Sequence, residues 1–153
     1  MAYVELNSSH DIHSIGPHKS TSMFRKNDMD FFPDTSMLQL TDILQKKYQV
    51  FVLDMGTITT GTIRQFTQCD LRIVTFGCAP WKQGSLEDWL SRYQTMINIH
   101  PETTLFLGNL GERNDALMRK LQPFSFFPVS YISNPFQLTA SEWPFFENML
   151  KEK

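Results

Sequence analysis

Asp54 stands at the end of the apolar run Val50-Phe51-Val52-Leu53 and is followed by Met55 and Gly56. An apolar strand that delivers a carboxylate at its C-terminal end is what a phosphate and magnesium site needs, because ligands of parallel α/β sheets sit at those strand ends. Such a site also needs consecutive backbone N–H groups around the phosphates and a lysine, as in GxxxxGK[ST]. Residues 1–153 contain no such motif. The nearest approach is Ile15 to Thr21, IGPHKST. Its His18 stands where a glycine must let the backbone reach the phosphate, and Pro17 removes one of the N–H donors. No strand leads directly into it and no good helix follows, so it is read as an ordinary loop.

Other residues carry weaker signals. His10, His13 and His18 suggest a metal. A histidine pair three apart acts as a ligand pair on a helix, however, and this stretch reads as loop with no cysteine near it, which argues against zinc. His100 before Pro101 reads as a turn. Ser8, Ser9, His10 and Asp11 match a triad in composition only, since a triad is defined by geometry. Asn109 in GNLGE and Asn134-Pro135 are turn formers when taken alone. In Pro80-Trp81-Lys82 the indole is expected to pack and the ammonium to be solvated.

The elements that must position these groups follow from periodicity. Residues 2–6 and 29–32 read as short strands, the second stopped by Pro33, and residues 8–27 as a long polar loop. Ser36 is expected to cap a helix reaching Lys47, which leads into the strand at 48–54. A weak helix at 60–69 and a strand at 71–77 follow. Ser85 with Asp88 suggests a capping box opening a helix to residue 97, with Leu86, Trp89, Leu90, Tyr93, Met96 and Ile97 on its apolar face. A strand at 103–107, a helix at 112–121, a strand at 127–132 and a helix from about Ser141 complete the chain. Strands alternating with helices imply right-handed crossovers and a mainly parallel sheet in one α/β domain over residues 1–153. Unbroken runs such as VFVL and IVTF imply strands covered on both faces, hence three layers. Asp54, Gly77 and Asn109 all fall at C-terminal strand ends. The aromatic residues at 124–146 are expected to serve as core and sheet cover.

Composition narrows the class. The chain has 153 residues, 41% of them hydrophobic and 20% charged, which suits a domain with a real core. A net charge of −2 leaves no basic footprint for sequence-specific nucleic-acid binding. No apolar run approaches the ~18 residues of a membrane span, and residues 1–20 are too polar for a signal peptide. Cys69 and Cys78 flank one predicted strand, too far apart along it for a disulfide. They read as reduced, buried thiols of a cytoplasmic protein.

The order of the segments carries a resemblance. AYVELN, MDFFPDT, a helix and YQVFVLDMG resemble the middle of a MinD/ParA-like P-loop ATPase. CDLRIVTFGCAPWKQGSLEDWL is similar to that family's ADxVIIVxxPxxxSLxxL segment, and TLFLGNLGE to its VVLNRVD strand and loop. FPVSYISNPFQLTA resembles the late segment that closes over the adenine, and Trp81-Lys82 resembles a Trp-Lys pair in a Firmicutes set of such bacterial proteins. The resemblance covers nearly the whole chain. It implies a P-loop NTPase-like, three-layer fold, with ATP and Mg²⁺ as the family's cofactors. Asp54 resembles the Walker B aspartate that holds a Mg²⁺-bound water, and Gly56 the switch-type turn after it. Asn109, Asn134 and Pro135 fall on the nucleotide-base side.

The match starts after the family's first strand, Walker A loop and first helix. The resemblance therefore implies the C-terminal portion of an ATPase domain, with no catalytic residue of its own and no hydrolysis alone. A protein partner, an upstream segment or a second copy forming a homodimer would complete it. The alternative is a non-catalytic interaction module that keeps the fold. In the family the Walker A strand lies beside the Walker B strand near the sheet centre. Without it, the strands at 48–54 and 71–77 are expected to pair directly or with another chain, because an unpaired central edge leaves backbone groups without partners.

Overall fold

Ala2, Val4, Phe31 and Phe32, the centres of the first two predicted strands, are buried in the computed structural model, which describes residues 1–16, 23–109, 115–130, 132 and 138–151. The chain divides into two compact units, Met1–Phe66 and Thr67–Lys153, each with its own sheet. The architecture is mixed α/β with mainly parallel strands.

In the first unit β1 (Ala2–Glu5) lies between β3 (Met29–Phe32) and β4 (Phe51–Asp54) and runs parallel to both. β2 (Phe24–Lys26) pairs antiparallel with β3, giving the order β2-β3-β1-β4. This strand, β2, lies within residues 8–27, expected to be loop. Phe24 is the only apolar residue of β2, so the strand has no pattern of its own; it is the return arm of a hairpin whose Asn27 and Asp28 hold φ of 49° and 59°. Two-residue turns with both φ positive match the twist of paired strands, and Asn and Asp tolerate that region best. A 3-10 turn at Asp11–Ser14 also lies in the predicted loop.

The sheet of this unit is packed on both faces. Ala2, Val4 and Phe32 meet Leu40 and Ile43 of α1 (Met37–Leu44). Phe31 and Phe24 meet Ile12 of the 3-10 turn, with the two phenyl rings stacked at 5.0 Å. Ser36 caps α1 as expected, in a full capping box: its Oγ accepts from Gln39 N–H and its own N–H donates to Gln39 Oε1. The helix stops at Leu44, short of Lys47. α2 (Ile63–Thr67) follows, and the first unit ends within it at Phe66.

In the second unit β5 (Arg72–Gly77), β6 (Thr104–Asn109) and β7 (Ser125–Val129) are all parallel, in the order β5-β6-β7. Their crossovers carry α3 (Gln83–Ile97) and α4 (Asp115–Leu121), and α5 (Trp143–Lys151) follows. β6 is central and its Leu105 and Phe106 are fully buried. The Phe106 ring meets Phe124 at 5.1 Å and Trp89 at 6.2 Å. β7 begins two residues before the expected strand and holds Pro128, which an edge strand tolerates.

The capping box expected at Ser85 is not formed. A 3-10 turn at Pro80–Lys82 runs straight into α3, so the helix starts at Gln83 and Ser85 lies inside its first turn. Leu86, Leu90, Tyr93 and Ile97 are buried as expected, whereas Trp89 is half-buried and Met96 is exposed. At 100° per residue those two fall roughly 70–90° to one side of the stripe set by the four buried residues. Cys69 and Cys78 are reduced thiols, as expected, but half-buried rather than buried.

The strands at 48–54 and 71–77, expected to pair directly or with another chain, fall in different units. β4 and β5 belong to separate sheets and each is an edge strand. The coverage of both faces expected from VFVL and IVTF is also incomplete among the described residues, because Val52 is 38% and Ile73 42% exposed. No helix among the described residues is long and apolar enough to cross a membrane.

Candidate site at the strand ends of the first unit

Asp54 ends β4 beside Glu5, its register partner at the end of β1. Its carboxylate is fixed from two sides. Tyr3 Oη donates to Oδ2 at 2.8 Å, and the Gly56 N–H donates to Oδ1 at 3.0 Å. The second contact is an Asx-type turn, which suits an aspartate at a strand end. Gly56 sits at φ 56°, and a Cβ there would lie 2.7 Å from Asn7 Cβ, so both conformation and space require glycine. Asn7 Nδ2 in turn donates to the Asp54 carbonyl at 3.3 Å. Burial, and then the hydrogen bond and charge of Asp54, push the Tyr3 phenol well above its usual value. The phenol therefore stays a neutral donor. A carboxylate offers about four acceptor positions, so Asp54 keeps capacity toward a water or a metal-bound water.

Asn109 ends β6 in the second unit, exposed, with its carbonyl accepting from the Cys78 N–H at 3.3 Å. Gly108 beside it is required by packing, because a Cβ would run into Cys78 Sγ and Phe126. Asn134 and Pro135 lie outside the described residues. Trp81, expected to pack, is 81% exposed, while the Lys82 stem lies against Gly77. The 3-10 turn points the indole outward and lays the lysine stem over Gly77, with Lys82 exposed as expected. The loop IGPHKST falls largely outside the described residues.

A second cluster was not foreseen as a unit. Glu5, His10, His13 and Asp34 each turn one potential ligand atom toward a common point, all within 4.8 Å of one another. Glu5 is fully buried at the end of β1. His10 and His13 flank and enter the 3-10 turn, and Asp34 follows β3. His10 Nδ1 meets Asp34 Oδ1, and His13 Nε2 lies 2.9 Å from Asp34 Oδ2. The sequence alone shows the histidines as loop residues without ligand geometry; the short 3-10 turn brings them together. Glu5 and Asp34 obey the same strand-end rule that singled out Asp54, and applying it to all three strands would have found them.

No protein-family model matches the chain, and no curated protein matches it.

Proposed function

We propose that this chain is the later portion of a MinD/ParA-like ATPase fold, an ATPase-like module that binds ATP–Mg²⁺ only weakly and hydrolyses none by itself. The observation that carries the reading is the layout of the first sheet. β4 is an edge strand, parallel to β1, tipped by Asp54 and followed by a left-handed turn at Gly56. In the family the strand bearing the phosphate loop belongs next to the strand bearing this aspartate, and the open edge of β4 suits it. The exposed Val52 of β4 is consistent with a further covering element. A segment of the same protein or a partner chain, including a second copy, would supply them.

The residues described here do not fit the triphosphate. Affinity for ATP–Mg²⁺ in such folds comes from the N–H groups, helix dipole and lysine of the phosphate loop, all acting on one charge. Asp54 reaches a metal through water at best and repels bare phosphate. Calorimetric titration of the chain with ATP–Mg²⁺ tests the reading. Binding is expected no tighter than about millimolar, roughly −4 kcal/mol, with no hydrolysis that Asp54→Ala removes. Micromolar binding that Asp54→Ala weakens would overturn it, and Lys19 and Lys82 would then be the lysines to substitute.

The rival reading, an interaction module with no nucleotide role, draws on the exposed Trp81 and the internally bonded Asp54. The two separate on adding the family's missing strand, loop and helix in front of residue 1. A gain of at least tenfold in ATP–Mg²⁺ affinity favours the ATPase-like module, and no gain favours the rival.

A further inference from the structure

We propose that Glu5, His10, His13 and Asp34 form a binding site for a divalent transition metal of the zinc class, which clamps the segment after β1 onto the strand ends of the first unit. The donor set is two imidazoles and two carboxylates. That mixture suits zinc, whereas Mg²⁺ and Ca²⁺ favour all-oxygen sets.

The geometry is close to closed. A tetrahedral ion about 2.1 Å from each ligand holds the ligand atoms roughly 3.4 Å apart. With all four within 4.8 Å, the widest pair needs to close by roughly 1.4 Å, within reach of side-chain rotation.

Electrostatics point the same way. Glu5 is fully buried, and among the described residues its carboxylate receives only long hydrogen bonds, 3.4 Å each, from Ser9 Oγ, the Ile12 N–H and the Asp34 N–H. It makes no ion pair with a lysine or arginine among the described residues. A carboxylate removed from water without a cation is costly, and a second carboxylate beside it adds repulsion. His13 Nε2 is buried and close to Asp34 Oδ2, yet off the line that a hydrogen bond requires. It is a donor atom facing the cluster without a directed partner.

The backbone around the cluster is held in place. Ile12, inside the 3-10 turn between the two histidines, is packed against Phe24 and Phe31. His10 and Asp34 both sit in the left-handed region, at φ 58° and 48°. Two turns in a sparsely populated conformation thus bring ligands from three separate stretches of chain to one point.

The test uses the full chain, stripped with a chelator and titrated calorimetrically with Zn²⁺. A Cys69→Ser/Cys78→Ser background removes the thiols as competing ligands. One equivalent should bind at micromolar Kd or tighter. His10→Asn, which keeps a residue tolerant of positive φ, and Asp34→Asn should each weaken binding at least tenfold. His100→Ala should change it less than twofold. Zn²⁺ should raise the melting temperature of the parent and not that of His10→Asn, and Co²⁺ should give a visible absorption band that the same variants lose. Circular dichroism confirms that each variant is folded. Binding unchanged by His10→Asn and Asp34→Asn, or no stoichiometric binding in folded parent protein, would overturn the proposal. Displacement of Zn²⁺ by millimolar Mg²⁺ would overturn the assignment to a nitrogen-ligand metal.

Discussion

In the first unit the three parallel strands lead to acids: Glu5 ends β1, Asp54 ends β4, and Asp34 follows β3 by two residues. In the second unit β5 ends on Gly77, β6 on Asn109 and β7 on Val129, none of them charged. The first unit gathers carboxylates, imidazoles and a phenol at its strand ends. The second gathers aromatic rings around Phe106. A parallel sheet presents its C-terminal ends as a platform whatever residues occupy it. Among the described residues the ionisable cluster stands at the strand ends of the first unit, so that unit is where a ligand should be sought and the second is where stability should be most sensitive.

Substitutions can sharpen or break that contrast. The largest effect is expected at Phe106→Ala, which empties the centre of the second unit and should cost about 3–5 kcal/mol. All three tryptophans, Trp81, Trp89 and Trp143, lie in that unit, so urea unfolding followed by indole fluorescence reports it directly. A loss under 1 kcal/mol would show that the ring cluster is not a core. Next is Tyr3→Phe in the first unit, which takes one donor from Asp54 and should cost about 1–2 kcal/mol, read from circular dichroism melts. Folded Tyr3 keeps its proton at a pH where the unfolded phenol, with an ordinary value near 10, loses it. That contribution is therefore present below about pH 10 and lost as pH rises further. Tyr3→Phe should flatten the alkaline decline, and an unchanged profile would mean that Tyr3 and Asp54 are not coupled in solution.

Smaller effects test the helices. Ser36→Ala breaks the capping box of α1 and should cost about 1 kcal/mol. Glu87→Ala removes an exposed pair with Lys120 and should change stability by about half a kcal/mol or less. A larger loss at Glu87 than at Ser36, both measured by urea unfolding followed by circular dichroism, would mean that surface charge matters more in the second unit than its apolar core implies.

Most elements were legible because apolar runs and helical stripes were strong. The strands ending at Asp54 and Gly77, and the stripe Leu86–Leu90–Tyr93–Ile97, are of this kind. β2 was hidden because its only apolar residue is Phe24 and its pairing comes from the Asn27-Asp28 turn. The 3-10 turns were hidden because one turn of helix has too few residues to show a period. Ser85 misled because the turn before it had already started the helix. At the site, Asp54 was legible as a carboxylate after an apolar strand. The cluster of Glu5, His10, His13 and Asp34 was not, since its members come from three stretches that only the fold of β1 and β3 brings together.

The claim at the centre of this account is that β4 is an edge strand, open where the proposed ATPase fold would add a neighbour. Backbone bonding from the Ala2 N–H to the Val50 carbonyl and from the Leu6 N–H to the Asp54 carbonyl turns alternate residues of β4 toward β1. The amides of Val52 and Asp54 then face β1, and those of Phe51 and Leu53 face the open edge. Residue-resolved amide hydrogen exchange on the full chain tests this directly. Strong protection at Val52 and Asp54 with fast exchange at Phe51 and Leu53 is the predicted result; equal protection at all four would contradict it, because it would mean that β4 already has a partner on both sides.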